Sequence, residues 1–243
     1  GDFSKATSED FASDVLAGIE YLKTRKEVNH EQIGLIGHSE GGLIAPMVAT
    51  QSPDVAFIVL MAGPGLPGED ILYMQNELIS QATGMSEEEM ALNRFYNKRI
   101  YFLVKEEEDK EILEENLTRL LKEYFAELSE EEKNKLGDPE TFINSQIQSA
   151  LSPWFKFFLT YDPRPALSKV TCPVLAINGE KDLQVPPEEN LKAIKEALAA
   201  SGNKDFMIKQ LAGLNHIFQT AQTGTPDEYA RIEETISPAA LEL

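Results

Sequence analysis

Ile33-Gly34-Leu35-Ile36-Gly37-His38-Ser39-Glu40-Gly41-Gly42 carries the densest structural information in the chain. Its first five residues are short, apolar and bounded by turn formers, as a strand buried on both faces would be. Residues 41–50 that follow read as a helix. Between them Gly37, Ser39 and Gly41 fit the Gly-x-Ser-x-Gly pattern, in which a serine rides a tight strand-to-helix turn. Such a turn needs neighbours with little or no side chain, because the backbone folds back on itself. Three fixed positions recur by chance in roughly one chain of this size in twenty, so it is the strand-turn-helix setting that gives the pattern its weight.

Working outward, Phe11, Val15, Ile19 and Leu22 fall at helical spacing behind Thr7 or Ser8 as a cap, which predicts an amphipathic helix over 8–26. Residues 56–61, 173–178 and 206–211 read as three more strands, and 187–200 as a helix between the last two. A final helix is expected over 227–243. Strands alternating with helices of this length predict an α/β fold, a mostly parallel sheet with flanking helices covering both faces.

About a hundred residues of different character interrupt this pattern, opened by Pro64-Gly65-Leu66-Pro67-Gly68 and closed by Tyr161-Asp162-Pro163-Arg164-Pro165. Leu113, Leu117, Leu120, Leu121, Tyr124 and Leu128 form a helical stripe there, with charge on the opposite faces. The expected division is therefore a core of residues 1–63 and 166–243 and a helical cap of 64–165, lying over the C-terminal edge of the sheet.

The 243 residues carry a formal net charge of −19, which argues against nucleic acid and against anionic membrane surfaces, since both require a basic face. Residues 86–140 alone hold 17 Asp/Glu against 9 Lys/Arg, as a solvated helical surface would. No apolar run approaches the roughly 18 residues that span a bilayer. The single Cys172 excludes an intramolecular disulfide. Nothing read here assigns a compartment.

A serine hydroxyl is a weak nucleophile until a base, itself held in one tautomer, takes its proton. Of the three histidines, His30 precedes the first strand at its far end, and His38 should point away from Ser39 across the turn. His216 follows the last strand at its C-terminal end, where parallel sheets gather their sites. The acid should lie between serine and histidine in chain order, just beyond a strand. Asn178-Gly179-Glu180-Lys181-Asp182 meets that description, and Asp182 is preferred to Glu180 because it lies farther into the loop.

The string Gly37-His38-Ser39-Glu40-Gly41-Gly42, with Trp154-Phe155-Lys156-Phe157-Phe158, Tyr161-Asp162-Pro163 and residues 178–186, resembles the α/β-hydrolase family, and within it the lidded esterases. The resemblance covers nearly the whole chain. It implies that the backbone N–H of Glu40 is one oxyanion donor, and that a second comes from a loop after an earlier strand, which residues 1–31 do not supply. It also implies several strands ahead of residue 8, with Gly1-Asp2 as the tail of a preceding motif, so the chain is expected to be the C-terminal part of a longer polypeptide. On its own it is then expected to self-associate through an exposed sheet edge and to be nearly inactive.

The chemistry expected is acyl transfer from a small ester or other acyl substrate, with Ser39, His216 and Asp182 as catalytic residues and no metal or organic cofactor. His38, Phe155 and Phe158 are candidate pocket residues, although the aromatic cluster could equally serve to anchor the cap. The same residues would serve a peptidase or a thioesterase. A non-catalytic remnant of the fold is the third alternative.

Overall fold

The computed structural model describes residues 2–200 and 202–243, with Gly1 outside them. It divides into two compact units, Ser8–Thr83 with Tyr161–Leu243, and residues 2–7 with Gly84–Thr160.

The first unit holds four parallel strands, β1 (Gly34–His38), β2 (Phe57–Met61), β3 (Val174–Gly179) and β4 (Phe206–Leu211), laid side by side in chain order. Helix α1 (Ser8–Lys23) precedes β1, α2 (Glu40–Ala49) joins β1 to β2, α3 (Gly68–Ala82) follows β2, and α10 (Pro187–Ala200) joins β3 to β4. Helix α2 packs on α1, β1 and β2, and α10 packs on β3, β4 and the short helix α9 (Arg164–Leu167).

This order has a consequence for burial. Crossovers between parallel neighbours are right-handed, so strands added always in one direction send their crossover helices to one face. On that face Ile58, Leu60, Val174 and Ala176 are all but inaccessible. On the other, Ile36 is 71% exposed, Met207 57% and Phe57 40%. The expectation of cover on both faces is thus met on one face among the described residues. The open face is closed only toward the C-terminal ends of the strands, where Ile177 and Leu211 pack with Leu214 and Phe218, and Ile236 and Ala240 lean on them.

Residues 227–243 do not form the expected helix. A 3₁₀ segment (Pro226–Arg231) and a one-turn helix α11 (Pro238–Leu241) replace it. Pro226 and Pro238 both sit at a first helical position, where a missing N–H costs nothing; in the interior of a longer helix Pro238 would remove a hydrogen bond.

The second unit is helical: α4 (Glu87–Glu106), α5 (Lys110–Glu127), α6 (Glu130–Leu136), α7 (Pro139–Ala150) and α8 (Pro153–Thr160). Its boundaries are local events. Ser86 and Ser129 each form a capping box, with Glu89 and Glu132, and Asp109 and Asp138 cap α5 and α7. The leucine stripe read from sequence is its core, with Leu117 fully buried and Leu113, Leu120, Leu121 and Leu128 nearly so. Tyr96 of α4 donates to Glu127 of α5 at 2.7 Å, and burial with that carboxylate beside it pushes the phenol up to about 12. Helix α3, inside the 64–165 cap as read from sequence, groups with the sheet, and residues 2–7 group with the helical unit.

The asymmetry of the sheet is measurable. In the monomeric chain, Ile58→Ala should cost about 2–5 kcal/mol in urea denaturation, and Ile36→Ala less than about 0.5 kcal/mol. A comparable loss at both positions would show that the Ile36 face is covered in solution.

Candidate active site

Ser39 sits between β1 and α2 with φ 53° and ψ −118°, a conformation that costs an L-residue of order 1–3 kcal/mol. The surroundings hold it there. Ser39 N–H donates to Met61 O at 2.8 Å, and Gly42 N–H turns back to Ser39 O at 2.8 Å. A Cβ on Gly37 would lie 2.0 Å from Gly41 O, and one on Gly42 would lie 2.6 Å from the Gly63 Cα. The turn therefore needs glycine at 37 and 42. Gly41, by contrast, faces open space, so the steric reason expected for it from sequence does not apply.

Glu40 follows the serine at the first position of α2. Its carboxylate accepts from the fully buried Ser8 Oγ at 2.6 Å, which ties the start of α1 to the start of α2. This link has no signature in the sequence, because the two residues are 32 positions apart.

Asp182 and His216 are brought together: His216 Nδ1 lies 2.8 Å from Asp182 Oδ2, with the two side chains 6% and 0% exposed. The other carboxylate oxygen accepts from the N–H of Gln184 at 2.8 Å and of Val185 at 2.9 Å. An ionised carboxylate can only accept, so Nδ1 carries the proton and Nε2 keeps its lone pair. Glu180, the rival acid, turns away and accepts from Gly213 N–H at 2.8 Å.

The two loops bearing Asp182 and His216 are laced together along the main chain. Glu180 N–H donates to Leu211 O and Lys181 N–H to Leu214 O, at 2.9 and 2.8 Å. The Lys181 ammonium caps Ala221 O and Gln222 O at 2.7 and 2.8 Å. A Cβ on Gly179 would lie 2.3 Å from Leu214 O, so the glycine admits the histidine loop. Within that loop Asn215 Oδ1 accepts from Ile217 and Gln219 N–H. Beyond it, the Glu228 carboxylate collects the Thr223 hydroxyl and the N–H groups of Gln222, Gly224 and Thr223, which pull its pKa down to about 2. Lys181, Asn215 and Glu228 act largely on backbone groups, and a contact of that kind leaves no signature in a sequence motif.

His38 ends β1. Its Nε2 lies 2.8 Å from His216 O, and the two rings are 4.8 Å apart. Among the described residues neither Ser39 Oγ nor His216 Nε2 makes a hydrogen bond within the protein. Phe155 and Phe158 lie in the helical unit, where Phe155 packs on Tyr101 at 6.0 Å and Phe158 stacks on Trp154 at 5.4 Å between ring centres.

Two family models match, and they meet within the chain. Residues 16–119, which hold Ser39, match the BAAT / acyl-CoA thioester hydrolase C-terminal family, and residues 118–235, which hold Asp182 and His216, match the prolyl oligopeptidase family. Along both matched segments the chain is similar to α/β-hydrolases of the serine-hydrolase type. No curated protein matches the chain. Similar solved structures include 2,6-dihydroxy-pseudo-oxynicotine hydrolase, at 17% identity and a TM-score of 0.41, covering 86% of this chain and 40% of that one. An esterase of Pyrococcus furiosus is 16% identical with a TM-score of 0.44, over 83% of this chain and 52% of its own. Est1E of Butyrivibrio proteoclasticus, bound to ferulic acid, is 17% identical with a TM-score of 0.43, over 89% and 63%. The chain thus spans about half the length of these three proteins. Among the described residues no helix is long and apolar enough to cross a membrane.

The turn geometry separates its three glycines. Gly37→Ala and Gly42→Ala should each cost several kcal/mol or abolish folding, because the new methyl meets main chain that cannot move aside. Gly41→Ala should be neutral or stabilise by up to about 1 kcal/mol as a helical substitution. Thermal melts of the three variants check the ranking, and equal losses at 41 and 37 would contradict it.

Proposed function

We propose that this hydrolase cleaves carboxylic esters through an acyl-enzyme on Ser39. The observation that carries the reading is the conjunction of a strained serine turn after β1 with a buried His216–Asp182 pair 2.8 Å apart on the loops after β3 and β4, all at the C-terminal ends of one parallel sheet. Ser39 Oγ attacks the acyl carbon while His216 Nε2 takes its proton. Asp182 keeps the imidazole in the tautomer that can accept and stabilises the imidazolium that forms. The Glu40 N–H stabilises the oxyanion. His216 then returns the proton to the leaving alcohol, and water repeats the sequence to release the acid.

A thioester reading is the second choice. It is favoured by one observation, the match of the segment bearing Ser39 to an acyl-CoA thioester hydrolase family. The match of 118–235 to a peptidase family favours an amide in the same way. All three share the acyl-enzyme and differ in the leaving group.

In the complete protein, Ser39→Ala should abolish p-nitrophenyl butyrate hydrolysis and fluorophosphonate labelling while leaving the melting temperature nearly unchanged. Asp182→Asn should lower kcat by several orders of magnitude by leaving His216 in the wrong tautomer, and Glu180→Gln far less. Turnover retained in Ser39→Ala would overturn the assignment, and a reversed order of the two acid variants would move the orienting role to Glu180. Parallel assays on an acyl-CoA and a peptide anilide distinguish the three leaving groups.

The proposal extends to self-association. Strand β1 ends the sheet without a charged side chain, beside the exposed Ile36 and Phe57, whereas the opposite edge strand β4 carries Lys209. The 243-residue chain should run larger than a monomer in light scattering, and Ile36→Lys should shift it toward monomer. A monomeric parent chain would refute this.

A further inference from the structure

Resting on the acyl-enzyme reading, we infer that His38 is a positioning residue for the base, holding the His216 main chain against the nucleophile strand through its Nε2–H. Strand alternation places His38 for this role. Gly37 must face α2, where its missing Cβ admits Gly41 O. The next residue therefore points to the opposite, open face of the sheet. That is the face on which the loop after β4 packs, through Leu214 and Phe218. His38 thereby reaches the loop carrying the base without competing for Ser39.

The contact is specific. A carbonyl oxygen can only accept, so the 2.8 Å approach of Nε2 to His216 O makes Nε2 the donor and leaves Nδ1 unprotonated in the neutral ring. The imidazole also lies edge-on to Phe218, 6.2 Å between ring centres, and at 51° to the His216 ring. Burial, and next the His216 ring beside it, hold the His38 pKa below the usual histidine value, against the pull of the hydrogen bond and of Asp182. A neutral His38 adds no charge opposing an imidazolium on His216.

His216 is consequently held at two points. Asp182 fixes the ring through Nδ1, and His38 fixes the main-chain carbonyl of the same residue. The first bond sets tautomer and ring rotation but cannot by itself fix where the Cα sits relative to β1. The second links that Cα to the residue adjoining Ser39. A displacement of about 1 Å between reacting groups can cost on the order of a hundredfold in rate, so the second restraint should appear in kcat.

The test, made in the complete protein, compares His38→Phe, which keeps a ring and removes the donor, with His38→Gln, whose amide N–H can still reach a carbonyl. Expected for Phe is a kcat about ten- to a hundredfold lower, with KM for p-nitrophenyl butyrate within about twofold. Gln should recover most of the loss, and all three proteins should melt within a few degrees of one another. Independently of turnover, the downfield proton resonance of His216 Nδ1–H should be sharp in the parent, broadened or lost in Phe and restored in Gln. Unchanged kcat and resonance in Phe, or no recovery in Gln, would overturn the inference. Failure of the parent to take up a fluorophosphonate would instead indict the serine-hydrolase reading, and the resonance series would still decide whether His38 positions His216.

Discussion

Two backbones meet at Gly42 and Gly63 with no side chain between them, and the site depends on that contact. With α2 seated this close to the end of β2, the chain has no room to leave β1 gradually. It must reverse within one residue, and Ser39 takes the positive φ that reversal requires. A strain of order 1–3 kcal/mol persists only where neighbours over-determine it. Here the neighbours are a buried α2, with Leu43, Ala45 and Val48 nearly inaccessible, and the bond from Ser39 N–H to Met61 O, which extends the β1–β2 pairing into the turn. The hydroxyl is raised above the strand ends because the core below leaves the main chain no other path.

A parallel constraint acts at the far side of the sheet. The loops bearing Asp182 and His216 leave β3 and β4 in register, Gly179 opposite Leu211, and continue to exchange main-chain hydrogen bonds after the strands end. This continuation, with Gly179 admitting Leu214 and Lys181 capping two carbonyls, makes the Asp182–His216 distance a property of the sheet rather than of flexible loops. Burial then makes the pair matter. With both side chains shielded from water, the Asp182 charge acts on His216 in a medium of low effective dielectric.

What was legible in the sequence follows from what is local. Four strands and the helices over 187–200 and after Ser39 could be read because buried parallel strands are continuous apolar runs and helices repeat at 3.6 residues. Asp182 rather than Glu180 could be singled out from its distance into the loop, and the structure places it, not Glu180, on His216. The helix over 227–243 failed because its apolar residues were too sparse to outweigh Pro238. The open sheet face could not be foreseen from periodicity, since it depends on strand order, and a run such as Gly34–Gly37 is equally apolar whether one face is covered or two. The Ser8–Glu40 bond and the His38–His216 contact join residues 32 and 178 positions apart, and no local pattern reports such pairs.

Strand alternation also distributes tasks along the turn in a way that composition alone would hide. Gly37 faces the helix and must lack a side chain; His38 faces the opposite side and meets the loop of His216. Ser39 stands at the apex, and Glu40, already helical, turns its side chain back to Ser8 while its N–H points out of the helix start. Gly41 alone in this run has free space around it. A one-residue slip of β1 against β2 would exchange the two faces, setting a histidine against α2 and removing the glycine from the close approach. Register is therefore the quantity that links fold to chemistry here. It is fixed by the pairing of Leu35 with Ile58 and Gly37 with Leu60, of which Ile58 and Leu60 are at 0% and 1% exposure, so the core that holds the sheet together also assigns each residue of the turn its side.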